Sequence, residues 1–429
     1  MKTLNKRKFY ASLIIFSLIG QIAWVVENMY FNVFIYNMFN ASPADISAMV
    51  AASAIAATVT TLLIGALSDK LGKRKIFMCA GYILWGISIL SFAFIRVDVI
   101  GKLFPAASAS AICITLVIIM DCVMTFFGSS ANDAAFNAWL TDMTDNTNRG
   151  KAEGINAMMP LVAILAVFGG FMSFDLSKSE SWTTIFAIIG ALVIAIGIFG
   201  FFIIESNEKK SDENSSYFKN IFYGFRPSVV RENIPLYLYL IAFAIFGISI
   251  QIFMPYLIIY YEKTLLMKDY VLIMAPAIIL ASVFTVFWGR AYDKLGFNKS
   301  VIPSLAILSL GYILLFAFTN TALVFIGSLL MMCGYLSGAA VFGAVIRDKT
   351  PESKAGMFQG PRIIGQVLIP GVVGPMISKE ILRNADVIVN NDGTTSFLPS
   401  KWIFMGALVG IAVLAIYLVP VMNRKKKKD

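Results

Sequence analysis

The chain has 429 residues, of which 58% are hydrophobic and 14% charged, where a soluble domain carries about 25% charged residues. That balance excludes an ordinary soluble enzyme and requires a bilayer around the chain. There is no histidine, and Cys79, Cys113, Cys122 and Cys333 all fall in apolar runs, so imidazole metal ligands, an imidazole proton shuttle and a disulfide framework are excluded, and no Walker-type phosphate loop is found.

Apolar runs long enough for a hydrocarbon core of about 30 Å, about 20 helical residues each, predict twelve spans. They cover 9–39, 43–68, 76–95, 109–141, 152–174, 182–204, 234–261, 270–290, 300–318, 321–346, 355–378 and 401–422. With both termini in the cytoplasm, 26 of the 35 basic residues lie on that side, eight lie outside, and Arg362 is within a span. The positive-inside rule therefore sets the orientation. The net charge of +10 is a topology signal, with the Arg424–Lys428 tail on anionic lipid, and nucleic acid is not an expected partner. The first span is too long for a signal peptide and holds Glu27, so it is read as uncleaved.

Span 1 places Gln21 near mid-membrane and Glu27 closer to the outer face. A carboxylate in that position needs a partner or a wet cavity; alternatively, Glu27 reaches the outer interface and only ends the helix. Span 2 is rich in Ala and Ser and closes on Gly65-Ala-Leu-Ser-Asp69-Lys70-Leu-Gly72-Lys73-Arg74-Lys75. After span 8 the pattern returns as Gly289-Arg-Ala-Tyr-Asp293-Lys294-Leu-Gly296-Phe-Asn-Lys299. Gly65 permits close helix approach, and an Asp in this position can cap a free helix N-terminus.

This doubled motif, in matching places of a twelve-span chain, resembles the signature of the major facilitator superfamily. The resemblance implies an all-α integral membrane fold of twelve transmembrane helices in two pseudo-symmetric six-helix bundles. It also implies a cytoplasmic gate in which Asp69 meets the start of span 11 near Ser353–Gly356, and Asp293 the start of span 5 near Asn148–Lys151. Gly65, Asp69, Arg149, Gly289 and Asp293 are the gate candidates.

Span 4 opens an internal repeat. Ala134, Asp142, Thr144, Gly150 and Gly154 correspond to Ala340, Asp348, Thr350, Gly356 and Gly360, each 206 residues on, and internal repeats in long apolar chains are typical of secondary transporters. Within span 4, Asp121, Thr125, Gly128 and Asn132 form one stripe, with Asp133 and Asn137 on the adjoining strip. Asp133 precedes Asp142 by nine residues, about 13 Å of helix, which puts an ionisable group near the bilayer centre. The stripe reads either as a coupling or solute site or as polar glue between packed helices. Asp142-Met-Thr144 with the preceding stretch and Arg149 is also similar to the glycoside–pentoside–hexuronide:cation symporters of the melibiose permease type. That similarity implies a sugar as solute and H+ or Na+ as coupling ion. The carboxylate pair that those proteins carry inside span 2 is absent, because Asp45 and Asp69 lie at its ends.

Residues 205–233 mix charges with Ser and Asn and read as a cytoplasmic linker between bundles 1–204 and 234–429, with an interfacial helix expected at 217–225. Span 7 holds Gln251 and a Met254-Pro255-Tyr256 break; Tyr256 reads equally as core or ligand contact, and Tyr260 with Tyr261 marks the outer interface. Span 11 carries Arg362 and Gln366. Arg362 is the only fixed cation predicted at such depth, its repeat partner is Asn156, and it either faces the cavity or snorkels to the inner interface. The loop 379–400 is polar and carries no recognisable motif.

These features predict a monomeric secondary active transporter in the cytoplasmic membrane. It would move a small polar solute, such as a sugar or glycoside, by alternating access with cation coupling. No cofactor is expected beyond the coupling ion. The site candidates are Gln21, Glu27, Asp121, Asn132, Asp133, Asn137, Gln251, Tyr256, Arg362 and Gln366. The alternatives are an exporter of amphipathic or drug-like compounds and, from another class, a non-transporting membrane receptor or scaffold. A membrane-embedded enzyme would need a metal cluster or a nucleophile with its base, and the lack of histidine removes the common forms.

Overall fold

The computed structural model describes residues 6–104, 108–144, 148–205, 222–267, 269–351, 358–390 and 393–423; for Ala66, Asp69, Lys70 and Arg149 it describes the backbone only. Eleven helices among these residues are long and apolar enough to cross a membrane. They account for all twelve predicted spans because one, Tyr270–Ala317, is 48 residues long and holds spans 8 and 9. It breaks at Gly296, where φ is +74°, a backbone region open to glycine at little cost.

The remaining spans are Lys6–Phe39, Pro43–Leu71, Arg74–Phe94, Ala109–Asp142, Arg149–Phe171, Ser179–Ile203, Ile234–Thr264, Thr321–Lys349, Gln359–Ile381 and Trp402–Asn423. Some of their starts carry side-chain caps. Asn320 Oδ1 accepts from Leu323 N–H at 2.9 Å. Ser42 and Asp45 form a reciprocal box: Ser42 N–H donates to Asp45 Oδ2 at 2.8 Å, and Asp45 N–H to Ser42 Oγ at 3.3 Å.

The chain divides into two compact units, Met1–Ala41 with Ala52–Tyr217 (unit 1) and Ser42–Ala51 with Phe218–Asp429 (unit 2). In unit 1, spans 3 and 6 meet backbone to backbone, for a Cβ on Gly86 would lie 2.6 Å from the Gly190 carbonyl oxygen. Small residues permit such contacts where lipid supplies no hydrophobic drive between helices. In unit 2 spans 9 and 10 meet in the same way, for a Cβ on Gly311 would run into the Met331 backbone, and hydroxyls add bonds between helices: Ser249 Oγ donates to Ala407 O at 2.7 Å, Tyr261 Oη pairs with Ser328 Oγ at 2.7 Å, and Ser337 Oγ donates to Ser304 Oγ at 3.0 Å.

Three features depart from the sequence expectation. A short helix, Val97–Leu103, follows span 3. A short helix not expected from the sequence, Pro227–Glu232, follows a single tight turn at Tyr223–Phe225, because proline is preorganised for a first helical position; residues 217–221, where the interfacial helix was expected to begin, lie outside the described residues. The loop after span 11 contains an antiparallel hairpin of β1 (Val387–Val389) and β2 (Thr395–Phe397), with Val387 opposite Phe397. The hairpin is joined to span 7, where Phe397 meets the Tyr256 ring at 6.0 Å and Thr264 Oγ1 donates to Pro399 O at 2.7 Å.

Candidate functional site

Span 1 widens into a π turn at Val26–Tyr30, span 4 at Ser129–Phe136 and span 11 at Ile364–Leu368. Such a turn inserts a residue and swings side chains off the regular helical stripe, and it recurs at functional sites. These three carry Glu27, then Asn132 and Asp133, then Gln366.

Glu27 is 6% exposed and Asp121 2%. Ser53 Oγ of span 2 donates to Glu27 Oε1 at 2.7 Å, Thr125 Oγ1 of span 4 donates to the same oxygen at 2.8 Å, and the two hydroxyl oxygens are 2.8 Å apart. Asp121 lies in hydrogen-bonding reach of Ser53 and in electrostatic reach of Glu27. Glu27 Oε2 and Asp121 Oδ1 are buried and have no hydrogen-bond partner. Glu27 does not end its helix at the interface, since span 1 runs on to Phe39; three helices converge on its carboxyl instead.

Asn132, 3% exposed, is committed to the bundle. Its Oδ1 accepts from Trp24 Nε1 at 3.3 Å, its Nδ2 donates to Tyr82 Oη at 2.8 Å, and Tyr82 Oη donates to Phe16 O at 2.6 Å. Gly20 makes room for this, because a Cβ there would run into the Asn132 amide. The packing reading of span 4 describes one of its two strips. The Asp121, Thr125, Asn132 stripe faces protein, whereas Asp133 is half-buried and Asn137 exposed. Asp133 Oδ2 accepts from Ser129 Oγ at 2.9 Å, and Asn137 Nδ2 donates to the Asp133 carbonyl at 3.0 Å. Gln21 is half-buried on span 1.

In unit 2, Gln251, Arg362 and Gln366 are half-buried. Tyr256 is fully buried and its hydroxyl donates to Pro43 O at 3.1 Å, which favours packing over ligand contact for this residue.

The doubled loop motif folds differently in its two copies. In unit 1, Arg74 Nε pairs with Asp142 Oδ2 at 3.3 Å while Nη1 donates to Ser68 Oγ at 2.6 Å. In unit 2, Tyr292 Oη donates directly to Asp348 Oδ2 at 2.6 Å, at the rim of a cavity of about 300 Å3 that Asp293, Arg347 and Lys349 also line. A Cβ on Gly65 would lie 3.7 Å from the Ala134 Cβ, and one on Gly289 would meet open space. The side chains of Asp69 and Arg149, and the Ser353–Gly356 segment expected to receive Asp69, lie outside the described residues.

The sequence reading did not single out Ser53 or Ser129, nor Arg74 and Tyr292 as partners of Asp142 and Asp348. Signals existed for three of them. Ser129 is four residues before Asp133, and Arg74 and Tyr292 stand inside the repeated motif. Ser53 is one serine among many in span 2. No group of three or more Cys, Asp or Glu side chains that could hold a metal ion occurs among the described residues.

The profile of the Major Facilitator Superfamily matches residues 11–375. A search of curated proteins finds no match. Among solved structures, a variant of the nucleoside transporter NupG is similar with a TM-score of 0.74 at 13% identity, covering 96% of this chain and 99% of that one. A bacterial homologue of the human lysosomal transporter Spinster, in an inward-facing and occupied conformation, gives 0.71 at 15% identity, covering 99% and 98%. The xylose transporter XylE from E. coli gives 0.66 at 16%, covering 95% and 97%. At such identities the likeness concerns the fold, and the profile match over most of the chain carries the assignment: this protein belongs to the Major Facilitator Superfamily and is a multi-pass membrane transporter of small solutes, not an enzyme.

Proposed function

We propose that the protein is a cation-coupled symporter of a small, polar, hydroxyl-rich solute such as a pentose or a nucleoside, working as a monomer in the cytoplasmic membrane with both termini inside. The observation that carries this reading is the distribution of polar groups between the units. Deep within its spans unit 1 holds three carboxyls, Glu27, Asp121 and Asp133, and it has no lysine or arginine beyond the first or last turn of a span. A buried acid without a fixed counter-charge needs a mobile cation. Amides and one guanidinium, Gln251, Gln366 and Arg362, make up the polar candidates of unit 2, donors suited to hydroxyl and carbonyl groups.

Asp133 and Asn137 are the solute-facing candidates of unit 1, because they are the accessible members of span 4. The solved relatives named for nucleoside and xylose transport support this solute class by analogy, and a further similar structure is named a D-xylose-proton symporter. Uptake of labelled nucleosides and pentoses into proteoliposomes, under an imposed proton or sodium gradient, tests the proposal. Accumulation that collapses with one of the two gradients is expected; uptake indifferent to both, or outward movement of lipophilic cations alone, would refute it in favour of a uniporter or an exporter.

A further inference from the structure

We propose that unit 1 contains a proton-binding site between spans 1, 2 and 4, in which the Glu27 carboxyl holds a proton against the Ser53 and Thr125 hydroxyls, with Asp121 beside it. The argument is a count of hydrogens. Glu27 Oε1, Ser53 Oγ and Thr125 Oγ1 form a triangle with edges of 2.7, 2.8 and 2.8 Å, all at hydrogen-bonding distance for hydroxyl oxygens. Each hydroxyl brings one hydrogen, so an ionised Glu27 leaves one short edge without any. A carboxyl proton supplies the third hydrogen. The ring then closes in one direction, the carboxyl O–H donating to one hydroxyl, that hydroxyl to the second, and the second back to Oε1.

Two further observations point the same way. Glu27 Oε2 and Asp121 Oδ1 are buried oxygens on residues more than nine-tenths buried, and neither accepts a hydrogen bond. Ionised oxygens would bear the full desolvation cost there, and a neutral carboxyl lowers it greatly. The titratable groups facing Glu27 from the packed elements are Asp121, Asp133 and Cys122, all of span 4; none of them brings positive charge, and spans 1 to 6 hold no lysine or arginine beyond their first or last turns. The site is set apart from the more accessible Asp133, which leaves Asp133 and Asn137 for the solute.

The use of this proton as a driving force rests on the symport reading; its presence does not. Infrared difference spectra of the purified full-length protein in lipid nanodiscs, taken across a pH series in choline chloride, report it through the C=O stretch of a protonated carboxylic acid. That band is expected in the wild type, absent in Glu27→Gln, and moved to higher frequency in Ser53→Ala, which removes one edge of the ring. Asp121→Asn is expected to shift the band while leaving it in place. Thermal unfolding of each variant identifies any that has lost its fold, and the conservative Glu27→Gln, which keeps a group able to donate into the ring, serves as the decisive one. A band unchanged in Glu27→Gln, or one abolished only by Asp121→Asn, overturns the assignment. Loss of the band when sodium replaces choline at fixed pH overturns it in favour of a metal ion. A protein that shows the band yet moves no nucleoside or pentose under a proton gradient retains the proton site and refutes the coupling.

Discussion

The two units solve the same packing problem with different chemistry. Unit 1 places carboxyls inside its bundle and surrounds Glu27 with hydroxyl donors. Among the described residues of unit 2, neutral pairs such as Ser249 with Ala407 O and Tyr261 with Ser328 join the helices. The loop motifs repeat the contrast, with a direct Arg74–Asp142 ion pair whose arginine also donates to Ser68 in one unit and a single Tyr292–Asp348 hydrogen bond in the other. Motif position explains the exchange. Ser68 and Tyr292 occupy the same place in the repeat, as do Arg74 and Asn298; where the arginine is missing, the longer tyrosine reaches the acid itself. Duplicated frames therefore preserve a contact while its chemistry drifts, and the ionisable groups collect in one half.

If this contrast reflects what each unit tolerates, the largest effect should come from forcing unit 1 chemistry on unit 2. Ser249→Asp puts a carboxylate where the wild-type hydroxyl is fully buried and donates to a carbonyl, a group that repels it. A loss of about 3–5 kcal/mol, the cost of an uncompensated buried charge, should appear as failure to survive mild heating in fluorescence-detected size exclusion. A variant as stable as wild type would show that unit 2 can also house an acid.

Next comes the neutral hub of unit 1. Asn132→Ala strips hydrogen bonds from Trp24 and Tyr82 and leaves a gap opposite Gly20, and it should cost about 1–3 kcal/mol, read as a lowered thermal midpoint. The loops sharpen the comparison further. Arg74→Gln should destabilise more than Tyr292→Phe, the latter by about 0.5–1.5 kcal/mol, because the arginine holds two partners and the tyrosine one. A double-mutant cycle of Arg74→Gln with Asp142→Asn should show coupling, and strict additivity would dissolve the ion pair as a structural unit.

Arg362→Ala asks what the one predicted intramembrane cation of unit 2 is for. As a solute ligand it should change the melting temperature little and abolish the stabilisation produced by the transported nucleoside or pentose. A large fall in melting temperature without solute, partly restored by Asp133→Asn, would instead assign it a structural pairing. The smallest effect belongs to the loop between spans 5 and 6. The Ser177 hydroxyl and backbone N–H hold the Asp175 carboxyl below its usual range. A depressed folded-state value contributes stability above the unfolded value and loses it as pH falls through the folded one. Asp175→Asn should therefore flatten acid sensitivity only marginally, since the group is solvent-screened.

Much of this protein follows from the chain alone. A continuous apolar run of about 20 residues can satisfy its backbone in lipid only as a helix, so the spans, their number and the internal repeat were legible directly, as was the suspicion attached to every intramembrane acid. The sequence could not say which face of span 4 meets protein and which stays accessible. Asn132 turns inward to Trp24 and Tyr82, on the buried stripe of Asp121 and Thr125, while its neighbour Asp133 is half-buried. Nor could it choose Ser53 from the many serines of span 2, or find the hairpin that meets Tyr256. Those are long-range contacts, 26 residues separating Ser53 from Glu27 and 98 separating Thr125 from it. Periodicity fixes where a side chain lies on its own helix; only the packing of three helices decides that two hydroxyls and a carboxyl share one dry point.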